Sequence, residues 1–168
     1  FIFFERNCKN KKQVKSLVDN LKNLLSHDKA FFLIDQEGGK VERLKPPHWP
    51  SHAPMAVFGK LYKQDQETAI KALKLNIISI SHMLNELGFT VNCTPVLDIP
   101  VEGAHDIIGN RAFGYGADSV TTLGKTVADE CIACGITPVI KHIPGHGRAR
   151  SDSHEDLPVV DTTLTELE

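Results

Sequence analysis

The chain lacks any apolar run close to the roughly 20 residues that a helix needs to cross a bilayer. Its first residues, Phe1-Ile2-Phe3-Phe4-Glu5, have neither the basic region nor the cleavage pattern of a secretory signal. No membrane partner is expected. An initiating Met is also missing, so the natural N-terminus is expected upstream of Phe1. An excess of positive charge is absent too: 19 Lys and Arg stand against 21 Asp and Glu, a formal net charge of -2. That removes the electrostatic footprint of a dedicated nucleic-acid binder, and the local basic stretch 9–15 reads as the solvated approach to a helix. Cysteine is scarce, with four in 168 residues, too few for the disulfide framework of a small secreted domain. A reducing compartment, the cytoplasm, is the expected location. Cys131 and Cys134 form a C-x-x-C, but they extend the stripe Val120, Leu123, Val127 at helical spacing. They read as buried thiols rather than as a redox or metal pair. Nothing in the composition suggests disorder or a fibre, and the length suits a single domain with a substantial core.

Two kinds of segment alternate along the chain. Val14, Leu17, Val18, Leu21, Leu24 and Leu25 mark one amphipathic helix, Ile70, Leu73, Ile77, Leu84 and Leu87 a second, and residues 120–134 a third. Gly88 and Gly135 are placed to end the last two in the left-handed conformation. After each helix comes a short apolar run, 30–34, 89–97 and 136–140, and residues 1–4 look like the end of another. The runs do not alternate with polar residues, so strands buried on both faces of a parallel sheet are expected. Residues 40–62 and 100–118 read as long loops rich in Pro, Gly and His. Thr163-Leu164-Thr165-Glu166 has the form of a capping box that starts another helix.

Every apolar run ends on chemistry: Glu5-Arg6-Asn7, Asp35-Gln36-Glu37-Gly38-Gly39, Asp98, and Lys141-His142. Parallel α/β sheets gather ligands at the carboxyl ends of their strands, so one shared site is the economical reading. The two glycines after Glu37 permit a tight turn that would fold Arg43 back towards Asp35. An Asp and an Arg converging on a neutral polar ligand suit sugar hydroxyls. Arg111 lies between Gly109 and Gly114 in a long loop, where a solvated role competes with a binding one. In the segment 140–158, His142, His146 and His154 raise zinc as a rival reading, but their spacing matches no standard signature. A phosphate turn at Gly145-His146-Gly147 lacks the required pattern. Asp152 and His154 suit proton transfer near neutral pH, because a carboxylate bonded to an imidazole orients it and raises its basicity. A serine nucleophile at Ser153 is disfavoured, since no G-x-S-x-G elbow is present.

Taken together, Asp35-Gln36-Glu37-Gly38-Gly39-x-Val41-x-Arg43, Asn92-x-x-Pro95-Val96-x-Asp98, Gly109-x-Arg111-x-Phe113-Gly114, Lys141-His142-x-Pro144-Gly145-His146-Gly147 and Asp152-Ser153-His154-x-x-x-Pro158 resemble glycoside hydrolase family 3. More narrowly the chain resembles the bacterial β-N-acetylhexosaminidases that recycle peptidoglycan. The motifs follow in order over nearly the whole chain, and the last is the most specific. The resemblance implies an α/β fold of the (β/α)8 TIM-barrel type, with residues 1–168 forming a partial barrel that lacks its C-terminal half, since a full barrel takes about 250 residues. It implies retaining hydrolysis of terminal β-linked N-acetylglucosamine, the typical substrate being N-acetylglucosamine linked to 1,6-anhydro-N-acetylmuramic acid, with or without peptide. The positions matching Asp35, Arg43, Arg111, Lys141 and His142 bind the sugar. His154 is the matching acid/base, supported by Asp152. No metal or cofactor is implied, and the oligomeric state is left open.

Retaining glycosidases ordinarily use two carboxylates, and this subgroup substitutes a His for one of them, carried on a loop that swings in with substrate. The family's Asp nucleophile follows a later strand and matches no position here, so the expectation is that this polypeptide alone has no normal turnover. Ile143 replaces a frequent Phe, and Lys40 a common Arg. Two alternatives stand beside the hydrolase: a phosphorylase of the same family, because an Asp-His pair repels phosphate less than a second carboxylate would, and a non-catalytic sugar-binding half-barrel.

Overall fold

A computed structural model describes residues 1–25, 30–114, 116–152 and 154–167. Four short strands, β1 (Ile2–Phe3), β2 (Leu33–Ile34), β5 (Val91–Asn92) and β6 (Thr137–Pro138), form one parallel sheet in the order β1-β2-β5-β6. Spatial order follows chain order, with no reversal of winding. That is the topology of a barrel wall rather than of a doubly wound sheet, which has a switch point. A separate hairpin pairs β3 (Gln36–Gly38) with β4 (Val41–Glu42). The helices are α1 (Lys11–Asn23), α2 (Met55–Tyr62), α3 (Gln66–Leu87), α4 (Ala117–Ala133) and α5 (Leu164–Leu167). None of the described helices is long and apolar enough to cross a membrane.

The helix limits follow from capping chemistry. Asn10 accepts a hydrogen bond from the Gln13 N–H at 2.9 Å at the start of α1. Asp65 accepts from Thr68 N–H at 3.0 Å and from its hydroxyl at 2.7 Å at the start of α3. Each satisfies donors that the first turn leaves unpaired. Gly88 ends α3 at φ 88°, and Gly135 follows α4 at φ 79°. The basic stretch enters the helix itself, since Lys11, Lys12 and Lys15 all lie within α1. The capping box read at residues 163–166 falls partly outside the described side chains, and α5 begins at Leu164.

The buried stripes Val14 and Val18, Leu73, Ile77 and Leu84, and Leu123 and Val127 pack on Phe3, Phe32, Ile34, Phe89 and Ile136 of the sheet. The Phe3 and Phe89 rings meet edge to face at 5.0 Å. Each such side chain taken fully from water contributes about 1.5–3 kcal/mol, which makes this one-sided core the main support of the wall. Cys131 belongs to it, and burial pushes its thiol up to about 12.

Two expectations need correction. Residues 40–62 are not a simple loop, because β4 and α2 lie within them. α2 is seated so closely on the segment after Arg111 that a Cβ on Gly59 would fall 1.5 Å from the Phe113 carbonyl oxygen. Nor are all the strands buried on both faces: β5 is, through Val91 and Asn92, but the outermost strand β1 is not. The register puts Ile2, Leu33, Val91 and Thr137 side by side, with Phe31 and Val139 two residues along on the same face. Ile2 is 57% exposed and Phe31 63%, whereas Val91 on the same face is buried.

Candidate active site at the strand ends

The residues just past the strands converge. After β2 the chain turns through the β3–β4 hairpin, with Gly38 at φ 103° and Gly39 at φ 64°. Neither conformation is open to an ordinary side chain without strain. The turn returns Arg43 to Asp35, as its spacing predicts, with Nη2 donating to Oδ2 at 3.0 Å. Gln36 holds the return in place: its Oε1 accepts from the Arg43 and Leu44 N–H groups, both at 3.0 Å, and its Nε2 donates to Glu42 and to the Leu44 carbonyl, both at 3.1 Å. Asn92 on β5 ties the hairpin to the sheet by exchanging hydrogen bonds with the Gln36 backbone at 3.0 and 2.9 Å. Asp35 and Arg43 therefore stand on a backbone fixed from two sides.

Lys141, past β6, bridges two carboxylates, reaching Asp35 Oδ1 at 3.0 Å and Glu37 Oε1 at 2.6 Å. Arg111, on the 3-10 turn Gly109–Arg111, grips Glu37 with two prongs, Nε to Oε2 at 3.0 Å and Nη2 to Oε1 at 2.9 Å. The same Nη2 lies 3.2 Å from His142 Nε2, while His142 Nδ1 lies 2.5 Å from Asp98 Oδ2. A guanidinium can only donate and a carboxylate only accept, so the His142 tautomer that satisfies both neighbours carries its proton on Nδ1. Asp98 Oδ1 also takes the His146 N–H.

The electrostatics are closely balanced. Burial alone would raise the Asp35 carboxyl, but the ammonium of Lys141 and the guanidinium of Arg43 outweigh it and hold the group below the usual carboxylate range. Burial likewise opposes the ionised form of Asp98, and hydrogen bonds from His142 and the His146 N–H bring it below that range. The result is a floor of charged side chains, each held by at least one opposite charge or hydrogen bond, with Arg43 Nε a buried donor left without a partner among the described residues. Neutral hydroxyl and amide groups can exchange hydrogen bonds with it.

All five expected sugar-binding residues, Asp35, Arg43, Arg111, Lys141 and His142, lie in this one network. Asp152 and His154 form a pair of their own: the imidazole Nδ1 is 2.6 Å from Asp152 Oδ1, and the His154 N–H donates to the same oxygen at 2.9 Å. Those two contacts hold Asp152 below the usual carboxylate range. The His154 side chain is 79% exposed, and among the described residues no hydrogen bond or ion pair joins this pair to the network. Ser153 lies outside the described residues. Among those residues, no three His, Cys, Asp or Glu side chains gather where they could share a metal ion.

Sequence reasoning gave Glu37 and Asp98 no role of their own. Glu37 is the hub that joins Lys141 to Arg111, and its placement beside the glycine pair was the available signal. Asp98 was noted as a strand exit, and its two partners come from the segment after β6. His52 was missed altogether. Its Nδ1 and N–H each lie 3.1 Å from Glu42 Oε1, and its Nε2 lies 3.2 Å from the Ser79 hydroxyl, linking the hairpin to α3.

Residues 1–168 match the family model of the glycosyl hydrolase family 3 N-terminal domain. A β-hexosaminidase of Bordetella parapertussis is 32% identical over 158 residues, spanning 94% of this chain and 44% of the relative. The crystal structure of native NagZ from Neisseria gonorrhoeae superposes with a TM-score of 0.91 at 31% identity, covering 99% of this chain and 48% of that one. The same values hold for that protein in complex with N-trifluoroacetyl-D-glucosamine. A family 3 β-N-acetylglucosaminidase from a Paenibacillus species gives a TM-score of 0.83 at 29% identity, covering 99% of this chain and 31% of that one. The chain spans about half the length of the β-hexosaminidase and NagZ relatives, whose barrel domain it matches in α/β fold.

Proposed function

The chain belongs to glycosyl hydrolase family 3, and from that premise we propose that the protein carrying it is a retaining β-N-acetylglucosaminidase. It releases terminal N-acetylglucosamine from peptidoglycan fragments, with or without attached peptide, in the bacterial cytoplasm. The observation that carries the reading is the network in which Lys141 joins Asp35 to Glu37 while Arg111 joins Glu37 to His142. It presents charge-assisted hydrogen-bonding groups at fixed positions without a large net charge, which suits a neutral sugar. The NagZ relative solved with N-trifluoroacetyl-D-glucosamine supports a ligand of this class.

In the proposed mechanism Arg43, Asp35, Lys141, Arg111 and His142 hold the N-acetylglucosamine. The imidazolium of His154 gives its proton to the glycosidic oxygen as the bond to the anomeric carbon breaks and a carboxylate nucleophile bonds to that carbon. The imidazole then takes a proton from water, whose oxygen displaces the carboxylate and restores the β configuration. Asp152 orients the ring and stabilises its charged form in both steps. Asp35, Glu37 and Asp98 are engaged by cations or hydrogen-bond donors, so none of the three is assigned as the nucleophile.

The test is turnover of an aryl β-N-acetylglucosaminide by the full-length polypeptide, with the anomeric product followed by NMR. Initial release of β-N-acetylglucosamine is expected. Release of the α anomer would overturn the retaining mechanism, and formation of sugar 1-phosphate when phosphate is supplied would favour a phosphorylase.

A further inference from the structure

The cations of the sugar network are each matched by a carboxylate: Arg43 by Asp35, Lys141 by Asp35 and Glu37, Arg111 by Glu37. The cation that lines the neighbouring cavity is not matched among the described residues. A cavity of about 490 Å³ opens beside His142 and Asp98, with Ile143, Pro144 and Val160 as apolar walls and Arg148 on its edge. Among the described residues Arg148 has no ion-pair or hydrogen-bond partner, whereas Asp98, the acidic residue of this lining, is occupied by His142 and the His146 N–H.

The backbone beside Arg148 is held on both sides. Gly147 lies so close to the preceding loop that a Cβ there would fall 2.2 Å from the Ile99 carbonyl oxygen, and its own carbonyl accepts from Val101 N–H at 3.0 Å. Ala149 is buried, and its carbonyl accepts from His105 N–H at 2.9 Å. Arg148 is therefore presented from a pinned segment of only one residue, with its free charge at the cavity.

We infer that Arg148 is a specificity determinant, favouring substrates whose leaving group carries a carboxylate. This rests on the reading of the site as an N-acetylglucosaminidase. The cavity shares His142 with the sugar network, and its lining residues Arg148 and Val160 flank in sequence the segment that carries Asp152 and His154. A proton donor must reach the glycosidic oxygen, so the leaving group occupies the space between the sugar network and that segment. Apolar walls at Ile143, Pro144 and Val160 take the body of the leaving group, and the guanidinium pairs with its anion.

The test compares two fluorogenic β-N-acetylglucosaminides, one with a neutral umbelliferyl leaving group and one with a carboxylated umbelliferyl group, using full-length wild-type protein, R148Q and R148K. Intrinsic differences between the leaving groups cancel when each variant's ratio of kcat/KM values is divided by that of wild type. R148Q is expected to lower the ratio by about two- to fivefold at low salt, the range for an exposed ion pair. The effect should fade towards molar salt, where screening shortens to about 3 Å, and R148K should restore part of the preference. Values for the neutral glycoside should stay near wild type, which excludes a folding defect. An unchanged ratio in R148Q, or an equal fall for both glycosides, would overturn the inference. If wild type hydrolyses neither compound, the enzymatic reading fails instead. Calorimetric titration of the same two glycosides then decides on Arg148 separately, with equal affinities in wild type and R148Q counting against it.

Discussion

Glu37 and Arg111 are 74 positions apart in sequence and meet in a buried, two-pronged ion pair, with Nε to Oε2 at 3.0 Å and Nη2 to Oε1 at 2.9 Å. The pair joins the hairpin after β2 to the loop after β5, and Lys141 brings the segment after β6 to the same carboxylate. Three strand exits thus share one anion. The geometry of the strand-exit network and the cohesion of the loops have a common source.

Removing that anion should be costly. Glu37→Ala leaves the Arg111 guanidinium in its buried place without a partner and Lys141 with Asp35 alone. Truncating one member of a buried pair typically costs about 3–5 kcal/mol. Urea unfolding of the chain should show a loss of that order, and N-acetylglucosamine binding should weaken. A loss below about 1 kcal/mol would mean that the three exits are held together by other contacts.

Acid should weaken the same region, and the sign follows from the direction of the shifts. Asp35 and Asp98 both titrate below their ordinary value in the folded chain. Each contributes stability that is present above the unfolded carboxyl value near 3.9 and is lost as pH falls through the lower folded value. The unfolded chain binds more protons in that window, so stability should rise with pH there and level off above it. Asp98→Asn should flatten part of this acid limb in pH-dependent urea unfolding. An acid limb as steep as that of wild type would remove Asp98 as a contributor.

Much of this arrangement was legible in the sequence for physical reasons. Stripes at helical spacing, left-handed glycines at helix ends and short apolar runs each report a local rule, and together they give the alternation of the wall. The chemistry at the strand exits gave the network, because a parallel sheet brings those exits to one edge. α2 was hidden because eight residues are too few to show a period, and its Gly59 reads as a breaker although the residue is there to admit the Phe113 backbone. Burial on both faces was expected because periodicity reports which residues are apolar and says nothing of what covers them. The Glu42–His52 contact depends on how residues 43–51 return to the hairpin, and no local pattern encodes that path.

The proposed proton-transfer pair can be separated from the proposed binding network by kinetics. In the full-length polypeptide, His154→Ala should lower kcat by about 10²–10⁴-fold, the usual contribution of a general acid/base. KM should change little, because the proposed sugar contacts belong to other residues. Asp152→Asn keeps the shape but removes the charge that orients and stabilises the imidazolium, so a smaller fall in kcat is expected. A rise in KM with unaltered kcat in either variant would assign the pair to binding instead.

Gly147 gives the most local test of how the segment before His154 is anchored. Its φ is not in the left-handed range, so alanine meets no backbone penalty there, and any effect must come from contact. The added Cβ would lie 2.2 Å from the Ile99 carbonyl oxygen and 2.9 Å from the Ile99 nitrogen, backbone atoms that cannot rotate away. Gly147→Ala must therefore push residues 146–149 off the preceding loop, stretching the Val101–Gly147 and His105–Ala149 hydrogen bonds of 3.0 and 2.9 Å. Overpacking of this kind typically costs about 1–3 kcal/mol, and a displacement of about 1 Å near a reacting group can cost roughly 10²-fold in rate. The expected result is a fall in kcat larger than the loss in stability would produce at the assay temperature, measured by comparing kinetics with urea unfolding of the same variant. Wild-type kcat in a folded Gly147→Ala protein would show that His154 is positioned without this anchor.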